Sequence, residues 1–300
     1  MTKNQAWVKA LRLRTLPLSL SGIILGSGIA KFNGFWDWTV FSLAMLTTIL
    51  FQIVSNLAND LGDSMKGTDN ENRVGPMRSV QSGLISKKEM TTAVILTSVL
   101  SLVAAVSLIY IGTKGLPSTM FWFYGGLALA CIFAAITYTV GKRAYGYNGL
   151  GDIMVFLFFG CVSVMGVYPL FTKTIDLSLI LPASCIGLLS VAVLNLNNMR
   201  DRVNDAKSNK RTLVVIMGPN LAKVYHLLLV IGGLVCQTVF LLGTKHELAL
   251  IGLLPGVLLI IHVRKVMQTT DPKNFDPELK KVALSTFGIA LLSVIGLMIG

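Results

Sequence analysis

Acidic side chains are scarce in this chain, which has 14 Asp and Glu in 300 residues against 26 Lys and Arg. Cysteine and histidine are scarcer still. Cys131, Cys161, Cys185 and Cys236 stand singly, and His226, His246 and His262 are too scattered to suggest a ligand set, so neither a disulfide framework nor a zinc site is expected. No Walker, dinucleotide-binding or serine-nucleophile pattern occurs. Gly149-Leu150-Gly151-Asp152 is too short for a phosphate-binding glycine loop and follows no strand, so a helix start is expected there. The first fifteen residues carry charge without a cleavable apolar core, which argues against a signal peptide. Trp7, Lys9, Arg12 and Arg14 read instead as an interfacial lead-in helix.

What the chain has in abundance is apolar surface. Hydrophobic residues make up 53% and charged residues 13%, with a mean hydropathy of +0.70, whereas about a quarter of the residues of a soluble domain are charged. Stretches of about 20 apolar residues predict nine spans, near 16–36, 38–60, 90–112, 118–140, 150–171, 177–199, 221–243, 246–264 and 280–300. The expected fold is an all-α, polytopic membrane protein with one domain over residues 1–300. A net charge of +12 could suit nucleic acid, but its distribution argues against that partner. With the N-terminus inside, Lys31, Lys114, Lys173 and Lys245 are the only four of the 26 basic residues on the outer side, the positive-inside pattern. The expected placement is therefore N-in and C-out in the plasma (inner) membrane. The inner face would attract anionic headgroups or a phosphorylated substrate.

The loops at 61–89, 200–220 and 265–279 are long and polar, so chemistry is expected at the cytoplasmic face. Two clusters mark it, Asn56-x-x-Asn59-Asp60-x-x-Asp63 and Asn195-x-x-Asn198-x-x-Asp201-x-x-x-Asp205. An Asp at the centre of a membrane helix costs about 2.5–3.5 kcal/mol on insertion scales and is usually kept for function. On a helix each cluster forms one polar stripe, and four spans of separation put both at the same face. Oxygen donors without nearby His or Cys suit Mg²⁺, which takes one or two carboxylates plus waters and phosphate oxygens. The competing explanation is that the amides join helices while the acids pair with Arg200, Arg202 or Arg73. Lys66, Arg73 and Arg78 follow the first cluster, Lys210 follows the second, and Lys142 and Arg143 leave the fourth span. All are suited to phosphate. Lys87, Lys88, Lys280 and Lys281 read better as topology determinants.

At these residues the chain resembles the UbiA-type intramembrane prenyltransferases. The likeness lies in Asn59-Asp60-x-x-Asp63, Asp201-x-x-x-Asp205 and Tyr138-x-x-x-Lys142. Within the family it is strongest to members that prenylate 1,4-dihydroxy-2-naphthoate in menaquinone synthesis. Ser55–Asp60, Gly75-Pro76-Met77-Arg78 continuing to Gly83, Tyr138–Asp152, and Asn195–Asp205 followed by Thr212–Val215 carry that narrower likeness. The chain departs from the pattern at Gly67, where many members carry a third acid, and the next acid is Asp69. It departs again at Ile216, where relatives often have arginine, and at Asn209, where glycine is common.

The resemblance implies helices around a central cavity and transfer of a polyprenyl group from its diphosphate to the naphthoate ring, with loss of CO₂, giving demethylmenaquinone. It implies Mg²⁺ held by Asp60, Asp63, Asp201 and Asp205 with Asn56, Asn59 and Asn198 beside them. Lys66, Arg73, Arg78, Lys142, Arg143 and Lys210 would take phosphate charge, with Tyr138 and Asp152 near diphosphate or ring. Two alternatives stay open. One is another acceptor such as 4-hydroxybenzoate, and the other is a secondary transporter or lipid-phosphate carrier.

Overall fold

The computed structural model describes residues 2–71 and 73–299. Among these, nine helical segments are long and apolar enough to cross a bilayer, as hydropathy predicts. The helices are α1 (Lys3–Leu11), α2 (Leu16–Phe32), α3 (Trp38–Met65), α4 (Lys87–Gly112) and α5 (Ser118–Thr137). They continue with α6 (Gly151–Thr172), α7 (Ile180–Lys207), α8 (Leu213–Gly243), α9 (Leu254–Gln268) and α10 (Asp276–Ile299). Here α1 and α2 together form the first span, Lys3–Phe32. Gly151 does begin a helix, and α6 passes through a π-helical stretch, Phe156–Val162.

Local chemistry fixes several helix starts. Asp37 caps α3 by accepting from the Thr39 and Val40 amides, Ser86 and Glu89 form a capping box on α4, and Thr212 caps α8. Each such cap is worth about 1 kcal/mol. The polar clusters do not begin loops. Instead α3 runs unbroken to Met65 and α7 to Lys207, past the limits that hydropathy sets. The turns carrying the acids bury Asn56, Asp60, Asp63, Asn195, Asn198, Asp201 and Asp205 against protein. A stripe facing other helices needs no lipid-like side chains, so the helix outlasts its apolar signal.

Lipid offers no hydrophobic drive between helices, so small residues and interhelical hydrogen bonds hold the bundle. Gln237 donates to Ser293 (2.9 Å), Asn33 to Tyr168 (2.8 Å) and Tyr124 to the Gly166 carbonyl (2.9 Å). Two of the three scattered histidines also meet. The Nε2 atoms of His226 and His262 lie 2.8 Å apart, and His262 Nδ1 is 2.6 Å from Glu278, which also takes Lys265 (2.9 Å) and Lys281 (2.8 Å). This chain of contacts joins α8, α9 and α10. Among the described residues it is a hydrogen-bonded network and not a set of three metal-ligand side chains.

The two ends of the bundle differ in kind. At one, Phe32 meets His246 (ring centroids 4.7 Å), Trp36 stacks on Phe171 (5.7 Å) and Lys173 donates to the Gly112 carbonyl (2.6 Å). At the other, Asn204 on α7 donates to the Thr68 carbonyl just beyond α3 (2.7 Å), and Arg200 meets Asp276. Both acid clusters therefore share an end.

Candidate active site

A cavity of about 540 Å³ runs into the bundle from the end that holds the acids. Its polar cap is walled by Asn59, Asp63, Arg73, Arg78, Asp201, Asp205 and Lys210, and its depth by Leu18, Phe51, Leu108, Leu127, Val167 and Leu170. Helical phase explains which cluster residues reach it. On α3 the lining residues Thr48, Gln52, Ser55, Asn59 and Asp63 recur every three or four positions.

Asp63 accepts from the Tyr147 hydroxyl at 2.7 Å, and that hydroxyl also lies 2.6 Å from Thr68 Oγ1. Asp60 lies off this stripe. Its Oδ2 accepts from the Ser79 amide (3.2 Å), and it lines a smaller cavity of about 260 Å³ with Lys9, Arg12, Arg14 and Arg78. Arg12, Arg14 and Arg78 wall both cavities. Asn59 lines the main cavity and its Oδ1 lies 3.3 Å from Thr139 Oγ1.

Asn56 also reaches the cavity wall and has a structural part besides. Its carbonyl oxygen accepts from Gln52 (3.1 Å), while its amide group donates to the Leu11 carbonyl (2.9 Å) and Thr15 (3.2 Å). Asn56 lines the cavity and its amide nitrogen ties α3 to the α1–α2 junction. The second stripe is out of phase by one residue. Ser190, Leu194, Asn197, Asp201 and Asp205 face the cavity on α7, and Asn198 is buried away from its wall. Counting back four from Asp201 holds the face defined by Asp201 and Asp205 better than counting back three.

The basic residues sort the same way. Arg73 joins the loop acid Asp69 to the second cluster, its Nε 3.1 Å from Asp69 and its Nη2 3.5 Å from Asp201, and Arg78 lies 3.8 Å from Asp69. Burial, then the neighbouring Asp63 charge, push the Asp69 carboxyl up to about 6 against the pull of Arg78 and Arg73. Lys210 sits 3.6 Å from Asp205. Burial alone would lower its ammonium, but Asp63 and Asp205 outweigh burial and hold it raised.

Lys66 lies 3.8 Å from the Tyr147 ring centroid and is not on the cavity wall. Lys142 and Arg143 are exposed and off the wall, at a turn between the lining residues Tyr138 and Tyr145. Asp152 also falls outside the wall, accepting from Tyr225 at 3.3 Å. Tyr138 does line it, with its ring edge-on to Tyr145 at 5.3 Å. Burial pushes the Tyr138 phenol up to about 12, so it serves as a neutral hydroxyl.

Several members of the site lack a local sequence signal. Arg12 and the exposed Arg14 reach the wall from the lead-in segment, and Asp276 and Lys280 reach it from the last helix, although Lys280 read as a topology residue. Pairing of acids with arginine holds for Asp201, whose Oδ1 and Oδ2 take Arg200 at 3.0 and 2.7 Å. It does not hold for Asp63 or Asp205, whose partners are Tyr147 and Lys210.

The donor set suits a hard divalent cation. The cap is lined by oxygen donors, and Asp60 Oδ1 and Asp205 Oδ2 are buried without a hydrogen-bond partner, which a native fold normally avoids. Among the described residues no three acidic, His or Cys side chains form a ready-made cage.

Helices of membrane-spanning length enclosing a chamber that is charged at one end and apolar within define a membrane-protein class whose chamber has the chemistry to suit an amphiphile with an anionic head. The chain belongs to the UbiA prenyltransferase family, whose profile matches residues 19–293. It is 44% identical to 1,4-dihydroxy-2-naphthoate octaprenyltransferase of Escherichia coli K12, over 100% of this chain and 97% of that protein. Its likeness to the protein of the same name from Haemophilus influenzae is 41%, over 99% and 97%. In fold it resembles a UbiA homologue from Aeropyrum pernix K1, with TM-score 0.69, 13% identity, and 96% and 98% of the two chains covered. It also resembles a UbiA homologue from Archaeoglobus fulgidus bound to DMAPP and Mg²⁺, with TM-score 0.57, 16% identity, and 94% and 98% covered.

Proposed function

We propose that this protein transfers a polyprenyl group from its diphosphate to 1,4-dihydroxy-2-naphthoate, with loss of the ring carboxylate as CO₂, in an Mg²⁺-dependent reaction at the cytoplasmic face of the plasma membrane. The observation that carries the reading is the single cavity that passes from Asp63, Asp201, Asp205, Arg73, Arg78 and Lys210 to Leu108, Val167 and Leu170. Its two halves match the two halves of an isoprenoid diphosphate.

Arg73, Arg78 and Lys210 are placed to bind the diphosphate and neutralise charge as the allylic C–O bond breaks. Asp63, Asp201 and Asp205, with Asn59 beside them on the same wall, would hold Mg²⁺, which when bound supplies further neutralisation of the leaving diphosphate, and Asp60 would add its charge from the adjoining smaller cavity. The apolar wall keeps water from the allylic carbon until the ring carbon attacks it. Tyr138, at the junction of cap and chamber, orients head or ring by hydrogen bonding. The N-in orientation rests on the basic residues that gather at the acid-bearing end. A carrier is disfavoured because the acid clusters sit at one end of the bundle, whereas alternating access places its site near the midplane.

The test is mass spectrometry of the lipid formed when purified protein, Mg²⁺ and a polyprenyl diphosphate meet dihydroxynaphthoate or 4-hydroxybenzoate. A decarboxylated prenyl-naphthoquinol is the expected product. Prenylated hydroxybenzoate alone would overturn the acceptor, and counterflow of substrate without released diphosphate would overturn the transferase reading.

A further inference from the structure

We propose that Arg200, anchored from the last helix by Asp276, is a positioning residue that fixes the plane of the Asp201 carboxylate for a divalent cation. The inference rests on the metal reading above and adds two residues to it.

The geometry is fully specified. Arg200 Nε donates to Asp201 Oδ1 (3.0 Å) and Nη2 to Asp201 Oδ2 (2.7 Å), the two-point grip that a planar guanidinium makes on a carboxylate. Nη2 also donates to Asn197 (2.6 Å) and Nη1 to Asp276 (2.5 Å). Four of the five guanidinium N–H groups are thereby engaged, and the Arg200 side chain is 1% exposed. It has no freedom to leave.

A carboxylate offers about four lone-pair positions. Arg200 takes one on each oxygen and Arg73 approaches Oδ2 at 3.5 Å, while Asp201 still lines the cavity. The grip therefore orients Asp201 without consuming it. If only charge balance were needed, one arginine would do, and burying a further ion pair is a poor way to gain stability. Orientation is what the second arginine supplies.

Two other features serve the same arrangement. A Cβ at Gly75 would lie 2.8 Å from Arg200 Nη2 and 3.0 Å from Arg73 Nη2, so any side chain there would have to displace the tips of both guanidinium groups. Asp276 stands in the first turn of α10 and on the cavity wall, its side chain 35% exposed. Through it the last span reaches the second acid cluster, 76 residues away in sequence.

The test is Mn²⁺ binding to the full-length protein in detergent, read from the loss of the free-ion electron paramagnetic resonance signal. Removing an outer partner of a ligand typically weakens metal binding 10- to 100-fold. Arg200→Gln should fall in that range, and Arg200→Lys, which keeps the charge but not the two-point grip, should not restore binding. Asp276→Asn should weaken it by roughly tenfold with an unchanged thermal midpoint, which a purely structural role would not do. If Arg200→Gln fails to fold, Asp276→Asn decides alone. Unchanged or tighter Mn²⁺ binding in that variant, with Asp201→Asn weakened, overturns the positioning role and leaves the metal reading standing. Wild-type binding by Asp201→Asn would overturn the metal reading itself.

Discussion

Replacing Tyr147 by Phe tests the site through a single atom. The Tyr147 hydroxyl donates to Asp63 Oδ1 at 2.7 Å from the short turn Tyr145–Tyr147. Burial, then the Asp63 charge, hold the phenol above its ordinary range, so it stays a neutral donor. Phenylalanine keeps the ring that lies 3.8 Å from Lys66 Nζ and 5.4 Å from Lys210 Nζ, so the change removes only the hydroxyl with its bonds to Asp63 and Thr68, and the double-mutant cycle below separates the Asp63 part. A bond to a charged acceptor is worth about 1.5–3 kcal/mol. If the bond persists in the transition state, its loss lowers kcat/KM roughly 10- to 150-fold, at about 1.36 kcal/mol per decade. The assay is kcat/KM for the polyprenyl diphosphate in mixed micelles, together with a double-mutant cycle. Because Tyr147 acts through Asp63, Tyr147→Phe should cost far less in an Asp63→Asn background. A folded Tyr147→Phe protein within twofold of wild type, or a fully additive cycle, refutes the argument.

Three further outcomes are expected. A Cβ at Gly62 would stand 2.4 Å from Thr139 Oγ1 and 2.7 Å from the Thr139 carbonyl carbon, so Gly62→Ala must push α3 aside at about 1–3 kcal/mol. It should lower both the unfolding midpoint and turnover, and wild-type values of both would refute the contact. Lys142→Ala and Arg143→Ala, at exposed positions off the wall, should stay within about 0.5 kcal/mol of wild type, or roughly a factor of two in kcat/KM. A tenfold loss would return them to the site. Chelation of divalent ions should abolish turnover and Mg²⁺ should restore it, whereas activity that survives chelation excludes the proposed role of Asp63, Asp201 and Asp205 in holding a metal.

The spans were legible because each is an unbroken apolar run, a signal carried by neighbours in sequence. The stripes were legible in part. Asp63 follows Asn59 by four residues and Asp205 follows Asp201 by four, so their shared faces are written in the spacing. Asn198 was misplaced because three-residue and four-residue steps differ by a hundred degrees of rotation, and only the packed partner of α7 decides between them. Arg12, Asp69, Tyr147 and Asp276 were hidden for another reason. Tyr147 finds Asp63 across 84 residues and Asp276 finds Arg200 across 76, and pairings at that range leave no local period. Lys142 and Arg143 lie at an exposed turn between Tyr138 and Tyr145, and nothing in their composition foretells it.

The unbroken passage of α3 and α7 from the apolar interior into the charged cap ties the reaction centre mechanically to the lipid around it. Each helix is a rigid rod that carries an aspartate pair at its tip. In a bilayer thicker or thinner than the span, such rods respond by tilting, at fractions of a kcal/mol per Å of mismatch, and a tilt of either rod changes the gap between the tips. Acyl-chain length is therefore expected to tune the spacing of the two tips. Turnover across vesicles of graded thickness should pass through a maximum where the two tips are best spaced.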